Sequence, residues 1–147
     1  MVEDGKPVQY FQRARLEHHP DRAGTPYEVQ VTLLGDQLTA PRRPFPAVAP
    51  FSSADTRMYF PETGHSLSLG FLSYWRARGG LDVFGYPISE ELDEGNGDGS
   101  GRAYTVQYFQ RARFEYHPEL AGTPYEVQLG LLGDQALKEK GWLPPEG

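Results

Sequence analysis

One internal repetition constrains this chain more than any motif in it. Residues 106–136 read VQYFQRARFEYHPELAGTPYEVQLGLLGDQA, and residues 8–38 read VQYFQRARLEHHPDRAGTPYEVQVTLLGDQL. The offset is a constant 98 residues, and 24 of the 31 paired positions are identical without a gap. A stretch repeated this faithfully should fold the same way twice, so the unit it forms is the building block of the protein. Function is therefore argued from what such a module can bind or join.

Within the repeat, Val8, Tyr10 and Phe11 followed by Arg15, Leu16, Glu17 and His18 predict a β-hairpin that stops at His19-Pro20, where proline removes a ladder donor. Ala23-Gly24-Thr25-Pro26 is turn chemistry. Residues 27–34 are apolar with mixed period and are expected to form a short helix or turn. Residues 41–50 hold four prolines in ten positions and predict a semi-rigid extended connector. The roughly 35 residues before it are too few for a core of their own, so the first unit should dock on the second.

The strongest helix signal spans about residues 66–78. Leu67, Phe71 and Trp75 recur every four positions with Leu72 beside them, giving one apolar stripe. Ser66 is a candidate cap, Arg76 and Arg78 suit the negative C-terminal end, and Gly79-Gly80 provides the stop. Four glycines among residues 94–101 predict a loop, and Asp134 is a candidate cap for a last helix at 135–140. The expected class is α+β, a tandem repeat of β-hairpins with short helices. Residues 6–40 form a partial repeat, 41–50 the connector and 51–143 a full unit. Because the first copy opens in mid-repeat, the chain reads as a piece of a longer protein.

A net charge of −6 argues against a nucleic-acid partner, since such binders carry a basic footprint. With no cysteine there is no disulfide framework and no thiolate metal site. No apolar run reaches the length of a bilayer span, so membrane insertion is not expected, and residues 1–5 are no export signal. His18, His19, His65 and His117 lack a zinc-binding spacing. The run Glu94, Asn96, Asp98, Gly99 imitates the start of a calcium loop, but Thr105 stands where a bidentate Glu is needed. No metal or cofactor is expected. Glu90 and Glu91 are paired carboxylates without a partner histidine at a triad-like spacing, and no catalytic residue is assigned.

The segment Phe84-Gly85-Tyr86-Pro87-Ile88-Ser89-Glu90-Glu91 resembles the Leu-Gly-Phe/Tyr-Pro-x-Ser-x-Glu core of the LGFP repeat family. Tyr59-Phe60-Pro61-Glu62-Thr63-Gly64, the Trp75 helix, Gly79-Gly80 and Val106-Gln107-Tyr108-Phe109 follow that family's order, so the resemblance covers about residues 57–118. Two departures stand out: Gln110-Arg111-Ala112 lacks the hairpin-turn glycine, and the first copy has no Trp-bearing helix before it. The resemblance implies a non-catalytic module displayed outside bacterial cells, often attached to enzymes that act on the cell wall.

Aromatic rings beside Arg, Gln and Glu are the ingredients of a sugar-binding surface, because ring faces stack and hydroxyls need polar partners. Tyr10, Tyr27, Tyr108 and Tyr125 are the candidate aromatics, with Arg13, Arg15, Arg111 and Arg113 as the candidate polar partners. Trp75, on the helix stripe, is read as core. Arg13, Arg15 and Glu17 and their copies are more often a solvated strip with weak ion pairs than a binding strip. The expected function is binding or anchoring to envelope polysaccharide or peptidoglycan. The alternative is a structural repeat without a ligand, its partners being copies of itself or domains of the parent protein; a part of a cell-wall hydrolase ranks behind both.

Overall fold

The computed structural model describes residues 1–143. Each repeat folds into a small antiparallel sheet. In the first, β1 (Val2–Glu3), β2 (Lys6–Tyr10), β3 (Arg15–His18) and β4 (Val29–Val31) lie in that order, with Val8 opposite Glu17 and Leu16 opposite Val31. Helix α1 (Leu34–Thr39) follows. A separate hairpin, β5 (Arg57–Phe60) and β6 (His65–Ser68), leads into α2 (Leu69–Ala77) and α3 (Gly80–Phe84). The second sheet then assembles from β7 (Leu92–Glu94), β8 (Tyr104–Tyr108), β9 (Arg113–Tyr116) and β10 (Val127–Leu129), and α4 (Leu132–Glu139) closes the unit. The fold is α+β. Among the described residues no helix is long and apolar enough to cross a membrane.

Period-two alternation gives each sheet two distinct faces. On one face of the second sheet, Phe109, Ala112 and Phe114 are buried against Phe60, Leu67, Phe71, Leu72 and Phe84. Phe114 is the centre of this core, with ring centroids of Phe109, Phe84, Tyr74 and Phe71 at 4.1, 4.8, 5.0 and 5.7 Å. Truncating a ring so enclosed typically removes about 3–5 kcal/mol. Trp75 packs edge-on against Phe60 at 5.5 Å and donates its indole N–H to the Gly85 carbonyl, 3.1 Å away. It is therefore part of this packing.

Three local expectations are corrected. Residues 27–34 supply β4 before α1 begins, because pairing Val29 and Val31 with β3 outweighs the mixed local period. The principal helix starts at Leu69, since residues 65–68 are strand β6 and Ser66 is engaged elsewhere: its amide and hydroxyl both donate to Glu90, at 2.8 and 2.5 Å. Asp134 lies inside the first turn of α4, not at its cap. Its backbone amide serves the other repeat.

The Pro-rich connector runs back across the second sheet. It leaves α1 through a short 3-10 turn at Ala40–Arg42, and Phe45 then stacks on Tyr108 at 5.8 Å with the rings 10° from parallel. The first unit does dock on the second. Its apolar cover comes chiefly through α1, however, and residues 51–92 shelter little of its sheet: Phe11 remains 47% exposed, whereas its copy Phe109 is fully buried.

Candidate functional site at the repeat junction

The two copies of the identical LLGDQ segment meet each other. Leu34 and Leu132 are buried together with Ala136, and Leu38 and Tyr10 pack beside them. Gly35 lies against the backbone of Phe109, and Gly133 lies in the same way against Phe11, so that neither site has room for a Cβ. That close approach brings helix amides to hairpin carbonyls: Asp36 N–H donates to Gln110 O and Asp134 N–H to Gln12 O, both at 3.0 Å. In the opposite direction, the Arg111 guanidinium donates to Val31 O and that of Arg13 to Leu129 O.

The two glycine approaches and the four hydrogen bonds each have their copy, with the partners exchanged by 98 residues. Reciprocal pairing of one surface with its own copy is the signature of a two-fold, isologous interface. The chain thus contains a covalently linked pseudo-dimer.

Charged groups repeat the exchange. Arg42 meets both carboxylate oxygens of Glu94, at 2.5 and 3.3 Å, and reaches the Tyr108 hydroxyl at 3.2 Å. Lys140, 98 residues later, donates to Glu3 at 3.1 Å, and Glu3 accepts from the Tyr10 hydroxyl at 2.8 Å. Burial opposes ionisation of Glu3, but the bonds from Tyr10 and Lys140 and the charge of Arg15 outweigh it and hold the carboxyl below its usual range. Burial and the Glu3 bond push the Tyr10 phenol up, and burial raises that of Tyr108.

These contacts account for most of the sequence-predicted site residues. Tyr10, Tyr108, Arg13 and Arg111 are engaged in or beside the junction. Arg15 and Arg113 are only 7% and 8% exposed, so the expectation of a solvated strip does not hold. Arg15 bonds Glu17 and Thr32, each at 3.0 Å, while Arg113 donates to Gly95 O at 3.0 Å and lies 3.5 Å from Glu115. The strand alternation does put Arg15 and Glu17 on one face, as it does Arg113 and Glu115. What buries them is the chain that crosses above, bringing Thr32 to one pair and the 95–97 loop to the other.

Tyr27 and Tyr125 stand apart from this network, 50% and 65% exposed. Tyr27 borders a groove of about 220 Å³ between β4 and α3, together with Tyr86, Asp82, Gln30, Gln110 and Arg111. This groove joins an aromatic wall to donors and acceptors of both signs, which can hold a polyhydroxylated ligand. A larger groove of about 720 Å³ runs beside α2, with Tyr74, Tyr116, Leu69 and Glu91 among its walls. Burial and the neighbouring Glu90 charge raise the Glu91 carboxyl. Ser68, Ser73, Thr105, Thr123 and Glu126 share the lining of that groove with Glu91, and no histidine is among its described walls.

Sequence reasoning missed Glu3, Gly35, Gly133, Arg42 and Lys140, and read Glu94 only as the start of a calcium-like loop. The 98-residue offset does pair Arg42 with Lys140, and that was the available signal. Sequence reasoning named Glu90 but not its partners: the carboxylate binds His65 Nδ1 at 2.9 Å as well as Ser66, fastening the Gly85-Tyr86-Pro87 segment to β6. In the loop that imitates a calcium site, Asp98 accepts from Ser100 N–H at 2.9 Å and Tyr104 O–H at 2.7 Å, and Asn96 donates to Glu115 at 3.2 Å. Among the described residues no group of three or more His, Asp or Glu is placed to hold a metal ion.

In comparisons with known proteins, no family model, no curated protein and no solved structure matches the chain.

Proposed function

We propose that this protein is a non-catalytic repeat module of the bacterial cell envelope, displayed outside the cell, whose work is structural: repeats lock in reciprocal pairs and act as a stiff spacer. The observation that carries this reading is the junction itself. Six of the eight candidate ligand residues, all but Tyr27 and Tyr125, are spent on contacts within or between the repeats. A side chain already committed to protein partners must give them up before it can serve a ligand, and buried Arg–carboxylate pairs are expensive to break. The envelope setting rests on the resemblance to LGFP repeats carried by residues 57–118.

The groove beside Tyr27 favours a second reading, in which envelope polysaccharide or peptidoglycan stacks on Tyr27 and Tyr86 and bonds Gln30 and Asp82. Passage over purified bacterial cell wall separates the two. The structural reading expects no retention. Retention that disappears in Tyr27→Ala, with the fold intact, would replace it by the binding reading.

A further inference from the structure

An isologous interface closes on itself, so the junction can join two repeats but cannot add a third. Any further association needs another surface, and the difference between the two copies of the sheet locates one. The face of the second sheet formed by Gln107, Phe109, Phe114, Tyr116, Val127 and Leu129 is covered by the chain between residues 57 and 91. The same face of the first sheet consists of Gln9, Phe11, Leu16, His18, Val29 and Val31. It has kept its apolar character, identical at Phe11 and Val29, yet Phe11 is 47% and Val29 55% exposed. Large apolar side chains grouped on an uncovered sheet face mark an interaction surface.

The backbone makes the same comparison sharper. In the second repeat, Gln110 N–H donates to Tyr86 O at 3.1 Å, Arg111 N–H to Phe84 O at 3.0 Å, and Ile88 N–H to Tyr108 O at 2.9 Å. The Gln107 side-chain amide donates to Ser66 O and Ser89 O, both at 2.8 Å. None of the equivalent groups in the first repeat, the amides of Gln12 and Arg13, the carbonyl of Tyr10 and the amide of Gln9, has such a partner among the described residues. A sheet rim with unpaired backbone groups beside an apolar face is suited to addition of an extended segment.

We propose that this face of the first sheet is a docking surface for a hairpin–helix–Phe-Gly-Tyr-Pro segment of the residues 57–91 kind, supplied from outside residues 1–147. The occupant is specified by the second repeat, where the same face, identical at Gln9, Phe11 and Val29 and changed at Leu16, His18 and Val31, already holds such a segment. Occupancy is compatible with the junction, because the turn at residues 109–112 does both at once: Gln110 O accepts from Asp36 while Gln110 N–H binds Tyr86. The segment of a second copy of this chain is not free to serve, being seated on its own second sheet. Helix α3 lies at the β4 end of this face, beside Val29 and Gln30, while Gln9 and Phe11 at the other end are exposed. This proposal deepens the structural reading by naming the partner, yet its test reads different atoms from wall retention, so either can fail alone.

The test is amide hydrogen exchange on the full chain with a synthetic peptide of residues 57–91 added. The expected result is at least tenfold slower exchange at the Gln12 and Arg13 amides, lost in Phe11→Asp, a substitution at an exposed side chain that leaves the fold intact. Should the free peptide fail to bind, the same segment fused directly ahead of Met1 decides the matter, since tethering raises its effective concentration. Protection of Gln12 and Arg13 in the fusion, comparable to that of Gln110 and Arg111, upholds the surface. No protection in the fusion overturns it, as does a face-to-face dimer of the chain that Phe11→Asp dissolves and the peptide does not affect.

Discussion

Gly35 and the carbonyl of Phe109 are held so closely that no other residue type fits at position 35. The clash a Cβ would meet is with backbone, which cannot rotate away as a side chain would. Gly35→Ala should therefore destabilise the protein by about 3 kcal/mol, the upper end for overpacking. Gly133→Ala, which meets Phe11 in the same relation, should lose a similar amount. Urea denaturation measures both. A loss below about 0.5 kcal/mol at either glycine would mean that the repeats do not approach as described.

The Arg42–Glu94 pair crosses the same junction but is 45% and 23% exposed at its two side chains. Water and salt screen such a pair, so its coupling is expected to stay under about 1 kcal/mol despite the two-pronged geometry. A double-mutant cycle with Arg42→Met and Glu94→Gln reads it directly. The coupling should shrink between low and molar salt. A salt-independent coupling of several kcal/mol would show the pair to be far better shielded.

How the fold follows from the sequence differs from element to element. The hairpins were legible because Val8 and Tyr10 alternate with polar residues and His19-Pro20 ends the ladder. The break between α2 and α3 was legible in Gly79-Gly80. The strand at Val29–Val31 was not, because three residues carry no period and only the edge of β3 decides their state. Ser66 looks like a cap until Glu90, 24 residues away, is seen to claim it. The junction was hidden for a different reason. Repetition says that LLGDQ folds the same way twice, but not that its two copies face each other. Arg15 shows the limit for burial: alternation assigns its face, but whether that face meets water depends on Thr32 arriving from beyond β4.

Leu69 opens α2 with φ at 50°, in the left-handed region, and its side chain is 69% exposed. A Cβ in that conformation costs roughly 1–2 kcal/mol, and little burial offsets it here. Leu69→Gly should stabilise the protein by about 1 kcal/mol, raising the melting temperature by about 3 °C for a chain of this size. Calorimetry tests this. An unchanged or lower Tm would indicate that the Leu69 side chain contributes packing along the α2 groove that outweighs the relief.

Asp98 organises the loop between β7 and β8. Bonds from the Ser100 side chain and backbone, followed by the Tyr104 hydroxyl, lower its pKa to about 2 from the ordinary 3.8. A carboxyl depressed on folding stabilises the native state above its unfolded pKa, and this contribution is lost as pH falls through the folded value. The loop's contribution should therefore be complete above about pH 4 and decline toward pH 2. Asp98→Asn should flatten that part of the stability profile by removing the contribution present at neutral pH, a small loss because the loop is exposed and solvent screens it. An NMR titration of the Asp98 carboxyl measures the cause directly: a midpoint near 3.8 would show that Ser100 and Tyr104 do not hold it in solution.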